Sequence, residues 1–350
     1  MSKQFVLIIC LFLAEILSAK GETAQITHAS TNGKGDEFTE GMAPMSGKIN
    51  LWTKGNIPTT TRNANNSDGP DFIPNIEVFT TSPAITPKGA VMICPGGDFM
   101  FRSMQNEGYD IANMLTSMGY QCFVVNYRIN PYTMQESATD LQRGIRYVRA
   151  HAADYRIHPE NIALVGFSAG GILNGEVLLN WRDLKNGCAL DSSYKPDDLD
   201  TVPVSACAVG MIYSFYGRLS VSMNNVETLR NAKLPPAFYC WGTRDGFAGQ
   251  FKQNANAVEA AGCRVVRKIL QNYPHGYGMG GNYNVWGRDF DEFISKIMDE
   301  NAAVTSITDD DNESNTEILY DLQGNRINPD YAGHGLYVSK KAHKGKIILK

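Results

Sequence analysis

Short apolar segments alternate with amphipathic segments along most of this 350-residue chain. The apolar segments have the length of buried strands, and the segments between them carry apolar residues at helical spacing. Because parallel strands need crossovers that pack on the sheet, this alternation predicts an α/β protein with a mostly parallel sheet and helices on both faces. The predicted strands are residues 90–94, 122–126, 162–165, 204–209, 236–241 and 265–270, after strand-like pieces at 48–52 and 75–79.

A serine between two glycines follows the predicted strand 162–165. Residues 166–170, Gly-Phe-Ser-Ala-Gly, fit the G-x-S-x-G pattern and precede a helix-compatible sequence. In a tight strand-to-helix turn, the glycines remove side chains that would clash, and the strained serine stands above the sheet edge. The pattern predicts Ser168 as a nucleophile, and the alternative is a glycine-rich turn with an idle serine.

A serine hydroxyl needs a general base before it becomes an effective nucleophile. His275 comes just after the last predicted strand, in the glycine-rich sequence NYPHGYG, and is the predicted base. The other histidines lie in the terminal segments or before the strand of Ser168, at the wrong end of the sheet: His28, His151, His158, His334 and His343.

A carboxylate is expected to orient the histidine and to stabilise its charged form. In proteins with a serine at such a turn, the expected chain order is serine, acid, histidine. Asp245 follows the predicted strand 236–241 and is the best-placed acid. The other acids of this interval are expected to be solvated surface charges: Asp191, Asp197, Asp198, Asp200, Glu227 and Glu259.

Backbone N–H groups are the expected donors to the oxyanion that forms during acyl transfer. One is the N–H of Ala169, and the second is expected from Gly97 or Asp98, after the predicted strand 90–94. The alternative is a simple Pro-Gly turn. Phe99, Phe101 and Arg102 follow and are predicted to line the substrate pocket, although such aromatic residues also serve in packing.

The two ends of the chain differ from its middle. Lys3, an apolar run at 5–14 and small residues before position 20 predict an export signal over residues 1–19, with a buried helix as the alternative. The run is too short to span a membrane. We expect a flexible leader at 20–47, a catalytic domain at 48–300, an acidic linker at 301–316 and a small β-rich tail at 317–350.

Composition excludes several classes of partner. The net charge of −4 argues against a nucleic-acid partner or an anionic membrane surface. No metal site or cofactor is expected, because no Cys or His spacing fits metal ligands. Of the six cysteines after the signal, four lie in apolar strand-like runs and are expected to be inert core thiols, although export would permit disulfides.

The order of these motifs resembles that of the α/β-hydrolase esterase/lipase family, in the branch that includes bacterial acetyl xylan esterases. The resemblance covers roughly residues 50–298 and includes VMICPGGDFMF, ENIALVGFSAGG, LPPAFYCWGTRDG and PHGYG. It implies an α/β-hydrolase fold and the triad Ser168, Asp245 and His275. Members usually carry a third glycine where this chain has Asp98, and often a histidine at the position of Ile172. The tail is similar to C-terminal sorting segments of exported bacterial proteins.

Together these features predict an exported serine esterase, in the periplasm, at the cell surface or outside the cell. Its substrate would be an acylated plant polysaccharide such as acetylated xylan, cleaved through an acyl-enzyme at Ser168. No large lid is expected, so the site should be open to a polymer. The alternatives are a serine peptidase of the same fold and a catalytically idle relative that binds glycans.

Overall fold

The computed structural model describes residues 45–61, 68–69, 71–182, 185–281 and 284–310, together with four strands between residues 318 and 349. The predicted signal and the predicted leader up to residue 44 lie outside the described residues. Within the described residues, no helix is long and apolar enough to cross a membrane.

Among the described residues up to 270 there are ten strands. Two of them form a small hairpin, and the other eight form one sheet. In chain order the strands are β1 (Met45–Asn50), β2 (Asn75–Phe79), β3 (Gly89–Cys94), β4 (Tyr120–Asn126), β5 (Ile162–Phe167), β6 (Ala208–Ile212), β7 (Gly217–Arg218), β8 (Val221–Ser222), β9 (Ala237–Gly242) and β10 (Val265–Leu270).

The sheet has the strand order β1-β2-β4-β3-β5-β6-β9-β10. All neighbouring pairs from β4 to β10 are parallel, and β2 pairs antiparallel with both β1 and β4. Every residue of β3, β5, β6 and β9 is buried. This is the pattern expected of strands that are covered on both faces, and it confirms the predicted fold class.

Six α-helices in the described part of the chain connect or flank the strands. A π-helix, Met104–Tyr109, leads directly into the first of them. The α-helices are α1 (Asp110–Ser117), α2 (Met134–Ala150), α3 (Ala169–Asn180), α4 (Val226–Asn231), α5 (Ala248–Ala260) and α6 (Gly287–Asp310).

The largest departures of the observed elements from the predicted bounds are at three places. β6 begins at Ala208 rather than at Val204, because the carbonyls of Pro203 and Ser205 accept hydrogen bonds from Arg149 instead of joining the sheet. β1 includes the last three residues of the predicted leader. α6 runs to Asp310, so the first ten residues of the predicted linker continue a helix.

The described residues of the tail form four strands, β11 (Ile318–Tyr320), β12 (Arg326–Ile327), β13 (Leu336–Lys341) and β14 (Lys344–Leu349). These strands make a separate antiparallel sheet with the order β12-β11-β13-β14. The sequence predicted a β-rich tail.

One group of charges is buried where solvated charges were expected. Asp200 is only 5% exposed and forms ion pairs with Arg146 and Arg143, whose side chains are themselves buried. The prediction of a solvated Asp200 was wrong. The buried arginines of α2 need a counter-ion, and the Asp200 carboxylate provides it.

The described cysteines are all unpaired. Cys94, Cys122 and Cys240 are buried within strands, and burial raises the pKa of the Cys240 thiol to about 12. These three are core thiols, as predicted, and a thiol held protonated by burial is a poor nucleophile. Cys207, the fourth cysteine of the prediction, precedes β6 and is only partly buried.

Candidate active site

The predicted catalytic residues all follow the carboxyl ends of parallel strands of the sheet. Ser168 comes directly after β5, Asp245 three residues after β9, and His275 five residues after β10. The loop after β3, residues 95–98, lies at the same edge because β3 and β5 are parallel neighbours. In sheets of this kind, this edge is where ligands bind.

The turn at Ser168 is as tight as the sequence predicted. Ser168 has φ 48° and ψ −117° and links β5 directly to α3. A Cβ at Gly166 would lie 2.5 Å from the carbonyl oxygen of Gly170, and a Cβ at Gly170 would lie 1.9 Å from that of Cys94. No side chain fits at either position, so the role predicted for the two glycines is confirmed. The strained backbone at Ser168 is the geometry of a nucleophile elbow.

The structure brings Ser168, His275 and Asp245 into one hydrogen-bonded chain. His275 Nε2 lies 2.9 Å from Ser168 Oγ, and His275 Nδ1 lies 2.7 Å from Asp245 Oδ2. The other carboxylate oxygen, Oδ1, accepts the N–H of Phe247 at 2.8 Å. Because a carboxylate can only accept, Nδ1 carries a proton, and Nε2 presents its lone pair to the serine hydroxyl.

Aromatic rings hold the imidazole of His275 on several sides. Its centroid is 4.9 Å from that of Tyr213, 5.8 Å from that of Phe247 and 6.4 Å from that of Phe251. The His275 side chain is 25% exposed, whereas that of Asp245 is fully buried. The imidazole thus reaches solvent while its carboxylate partner is shielded, which strengthens their interaction.

The predicted oxyanion donors lie around Ser168. In the part of the chain that the structure describes, the N–H groups of Gly97, Asp98 and Ala169 donate to no backbone carbonyl. Ala169 begins α3, so its N–H belongs to the electropositive end of a helix. Gly96 differs from its neighbours, because its N–H is already bound by Glu107 Oε2 at 2.8 Å.

Asp98, the departure from the family pattern, has a conformational explanation. Its φ is 56°, in the left-handed region that favours glycine and that aspartate tolerates better than most residues. Partial burial raises the pKa of its carboxyl.

The structure does not support the predicted pocket-lining roles of Phe99 and Arg102. Phe99 is 8% exposed and packs edge-on against Tyr127. The Arg102 guanidinium forms an ion pair with Asp68 and donates to the carbonyl of Tyr127 at 2.8 Å. Both side chains are engaged within the protein, and Phe101, which is 56% exposed, is the accessible aromatic residue of this segment.

Sequence reasoning missed two residues of the site, Glu107 and Tyr213. Tyr213 directly follows β6, so the rule that sites form at the carboxyl ends of strands could have indicated it. Glu107 lies in the π-helix and carries no pattern that distinguishes it from a surface acid. Within the described residues, no group of three or more His, Cys, Asp or Glu side chains could hold a metal ion.

The sheet order, the turn at Ser168 and the placement of the acid and the histidine define an α/β-hydrolase fold. Residues 77–225 match the model of the family described as BD-FAE. An acetylxylan esterase of Xylanibacter ruminicola is 36% identical over 88 residues, which are 25% of this chain and 18% of that protein. Esterase LipQ of Mycobacterium tuberculosis is 30% identical over 202 residues, 55% of this chain and 44% of that protein.

The chain therefore spans less than half the length of these curated relatives. Among solved structures, an acetyl ester-xyloside bifunctional hydrolase from Caldicellulosiruptor lactoaceticus has a TM-score of 0.58 at 21% identity, covering 75% of this chain and 98% of that chain. The α/β hydrolase MGS-M1 from a deep-sea metagenome library has a TM-score of 0.53 at 18% identity, covering 72% and 97%. The expected resemblance to α/β-hydrolase esterases is confirmed.

Proposed function

We propose that this protein is a serine esterase that removes acetyl or related acyl groups from plant polysaccharide such as xylan. The observation that carries the proposal is the hydrogen-bonded chain from Asp245 through His275 to Ser168, with separations of 2.7 and 2.9 Å. The relative named acetylxylan esterase supports the acyl group and the polymer. The partly exposed imidazole suits an ester attached to a bulky chain.

The reaction proceeds through an acyl-enzyme. Ser168 Oγ bonds to the ester carbonyl carbon while its proton passes to His275 Nε2, and the carbonyl oxygen becomes an oxyanion. The N–H groups of Ala169 and of Gly97 or Asp98 stabilise that oxygen. As the intermediate collapses, Nε2 returns the proton to the departing sugar hydroxyl. Water, deprotonated by the same nitrogen, then releases the acid and restores the serine.

Acetate release from acetylated xylan tests this function. The wild-type chain should release acetate, with feruloylated arabinoxylan as the comparison substrate, and Ser168→Ala should release none. Ser117→Ala is the matched control, because its hydroxyl lies on α1 and donates to the Met114 carbonyl, away from the site. Hydrolysis of an aminoacyl anilide in preference to all esters would favour the peptidase alternative. A wild-type chain that neither hydrolyses esters nor reacts with a fluorophosphonate would favour the idle relative.

We also infer that the protein is exported. Lys3, the apolar run at 5–14 and the small residues Ser18 and Ala19 support this inference. The N-terminal sequence of protein recovered outside the cytoplasm should begin close to residue 20. Recovery of the intact chain from the cytoplasm alone would contradict export.

A further inference from the structure

A second buried carboxylate lies beside the triad. Glu107 is 6% exposed, and its two oxygens face two different loops of the site. Oε2 accepts the N–H of Gly96 at 2.8 Å, and Oε1 accepts the hydroxyl of Tyr213 at 2.5 Å. Since burying a carboxylate is unfavourable unless hydrogen bonds compensate it, this arrangement is expected to be held closely in place.

The first contact reaches the loop that carries the oxyanion donors. A Cβ at Gly96 would lie 3.0 Å from Ser168 Cβ and 2.6 Å from the Phe167 carbonyl oxygen, so the Gly96 backbone rests on the turn of the nucleophile. Glu107 engages the Gly96 N–H, whereas the next two N–H groups, of Gly97 and Asp98, donate to no backbone carbonyl within the described residues. The carboxylate thereby anchors the loop that carries these two N–H groups.

The second contact reaches the loop of His275. Tyr213 has φ 37°, a strained value for a residue with a side chain, and its ring packs against the imidazole. Its hydroxyl oxygen accepts the N–H of Gly278 at 3.2 Å while its proton points to Glu107. Tyr213 thus connects Glu107 with the segment that carries the general base.

The π-helix supplies the position of Glu107. The π-helix Met104–Tyr109 lies directly before α1. Its turns are wider than those of an α-helix, and such turns occur frequently at functional sites. A Cβ at Gly108 would lie 2.9 Å from a Val124 methyl carbon, so glycine lets this turn pack closely against β4, and Pro95 lies 3.4 Å away at an ordinary contact distance.

We propose that Glu107 is a positioning residue that holds the donors at Gly97 and Asp98 and, through Tyr213, the His275 loop in the arrangement that the reaction needs. This inference rests on the proposed esterase function. An amide would not reproduce both contacts, because the glutamine oxygen could accept only one of the two donors and its NH₂ group would face the other. Burial raises the pKa of Glu107, whereas these donors and the nearby His275 favour its charged form.

The test compares Glu107→Gln and Tyr213→Phe with the wild-type full chain on a chromogenic acetyl ester. Loss of a single oxyanion donor costs roughly 10²- to 10³-fold in kcat. For Glu107→Gln we therefore expect kcat to fall about 100-fold with KM changed less than about threefold, and for Tyr213→Phe a fall of about tenfold. The affinity for a trifluoromethyl ketone, which forms a tetrahedral oxyanion on serine, should fall by the same factor as kcat/KM.

Two features distinguish positioning from general destabilisation. Tyr239→Phe is the matched control, because Tyr239 is also buried and its hydroxyl donates to a buried side chain, Asn254, at 2.7 Å; its kcat should stay within twofold of wild type. The double variant of Glu107 and Tyr213 should lose less activity than the product of the two single losses, since both changes break the Glu107–Tyr213 hydrogen bond.

A kcat of Glu107→Gln within threefold of wild type, or losses that multiply in the double variant, would overturn the inference. If Glu107→Gln does not fold, as judged by its thermal unfolding, Tyr213→Phe decides: a kcat indistinguishable from that of Tyr239→Phe overturns the proposal. Failure of the proposed esterase function is distinguishable from these results, because the wild-type chain itself would then be inactive on every ester. That result would also overturn the role inferred for Glu107.

Discussion

Asp245→Asn is expected to abolish activity by reversing the tautomer of His275, with little effect on the fold. The N–H of Phe247 donates to Asp245 Oδ1 at 2.8 Å, so the asparagine oxygen should take that position and turn its NH₂ group toward His275. Nδ1 can accept from this NH₂ group only when it carries no proton. The proton then lies on Nε2, which faces Ser168 Oγ and can no longer act as a base.

The size of the effect follows from the loss of the general base. The equivalent change in another serine hydrolase triad lowers kcat about 10⁴-fold. That factor corresponds to about 5 kcal/mol of transition-state stabilisation. Substrate binding does not use the tautomer, so KM should change little. The Phe247 hydrogen bond persists, so the thermal midpoint should move by only a few degrees.

Initial rates on 4-nitrophenyl acetate measure this prediction, with Asp289→Asn as the control. Asp289 forms an ion pair with Lys268 at 2.9 Å on the partly exposed surface of α6, and surface pairs of this kind contribute little. A kcat for Asp245→Asn within tenfold of wild type would refute the assignment of Asp245 as the partner of the base.

Three further predictions test the surroundings of the site. Gly170→Ala should lower the free energy of unfolding by about 3 kcal/mol or more in urea titrations, because its Cβ would lie 1.9 Å from the Cys94 carbonyl oxygen. Gly249→Ala is the control: it has open space around it and should not destabilise the protein. Asp98→Gly should keep kcat within about threefold, because glycine suits the left-handed backbone there; a larger loss would assign a role to the carboxylate. Burial opposes the charge of Glu136, but hydrogen bonds from threonines outweigh it and lower its pKa from 4.5 to about 2. The resulting stabilisation is complete above pH 4.5 and is lost toward pH 2. Glu136→Gln should therefore lower the free energy of unfolding by on the order of 2–3 kcal/mol at pH 7 and by progressively less below pH 4.5. An equal loss at every pH would contradict this prediction.

The strands and the turn at Ser168 were predictable because local sequence determines them. Apolar runs of strand length indicated the sheet, and the glycines at 166 and 170 indicated a bend that tolerates no side chain. Asp245 and His275 were found by position, since residues that follow parallel strands share one edge.

The remaining features depend on contacts between distant segments, which no local pattern encodes. Arg102 follows the predicted donors and looked available for substrate, yet Asp68 from an earlier loop neutralises it. Asp200 lies in a polar segment typical of surface charges, yet two arginines of α2 form ion pairs with it. Glu107 is eleven residues from Gly96 in sequence, and its partner Tyr213 is 106 residues away. Periodicity cannot relate residues at such separations.

Trapping of the acyl-enzyme tests the central claim most directly. The wild-type chain is mixed with excess 4-nitrophenyl acetate, quenched in acid within the first turnover, digested and analysed by mass spectrometry. The peptide that contains Ser168 should carry one acetyl group, and this adduct should be absent from Ser168→Ala. An acetyl group on another residue, or full turnover by Ser168→Ala, would contradict the mechanism.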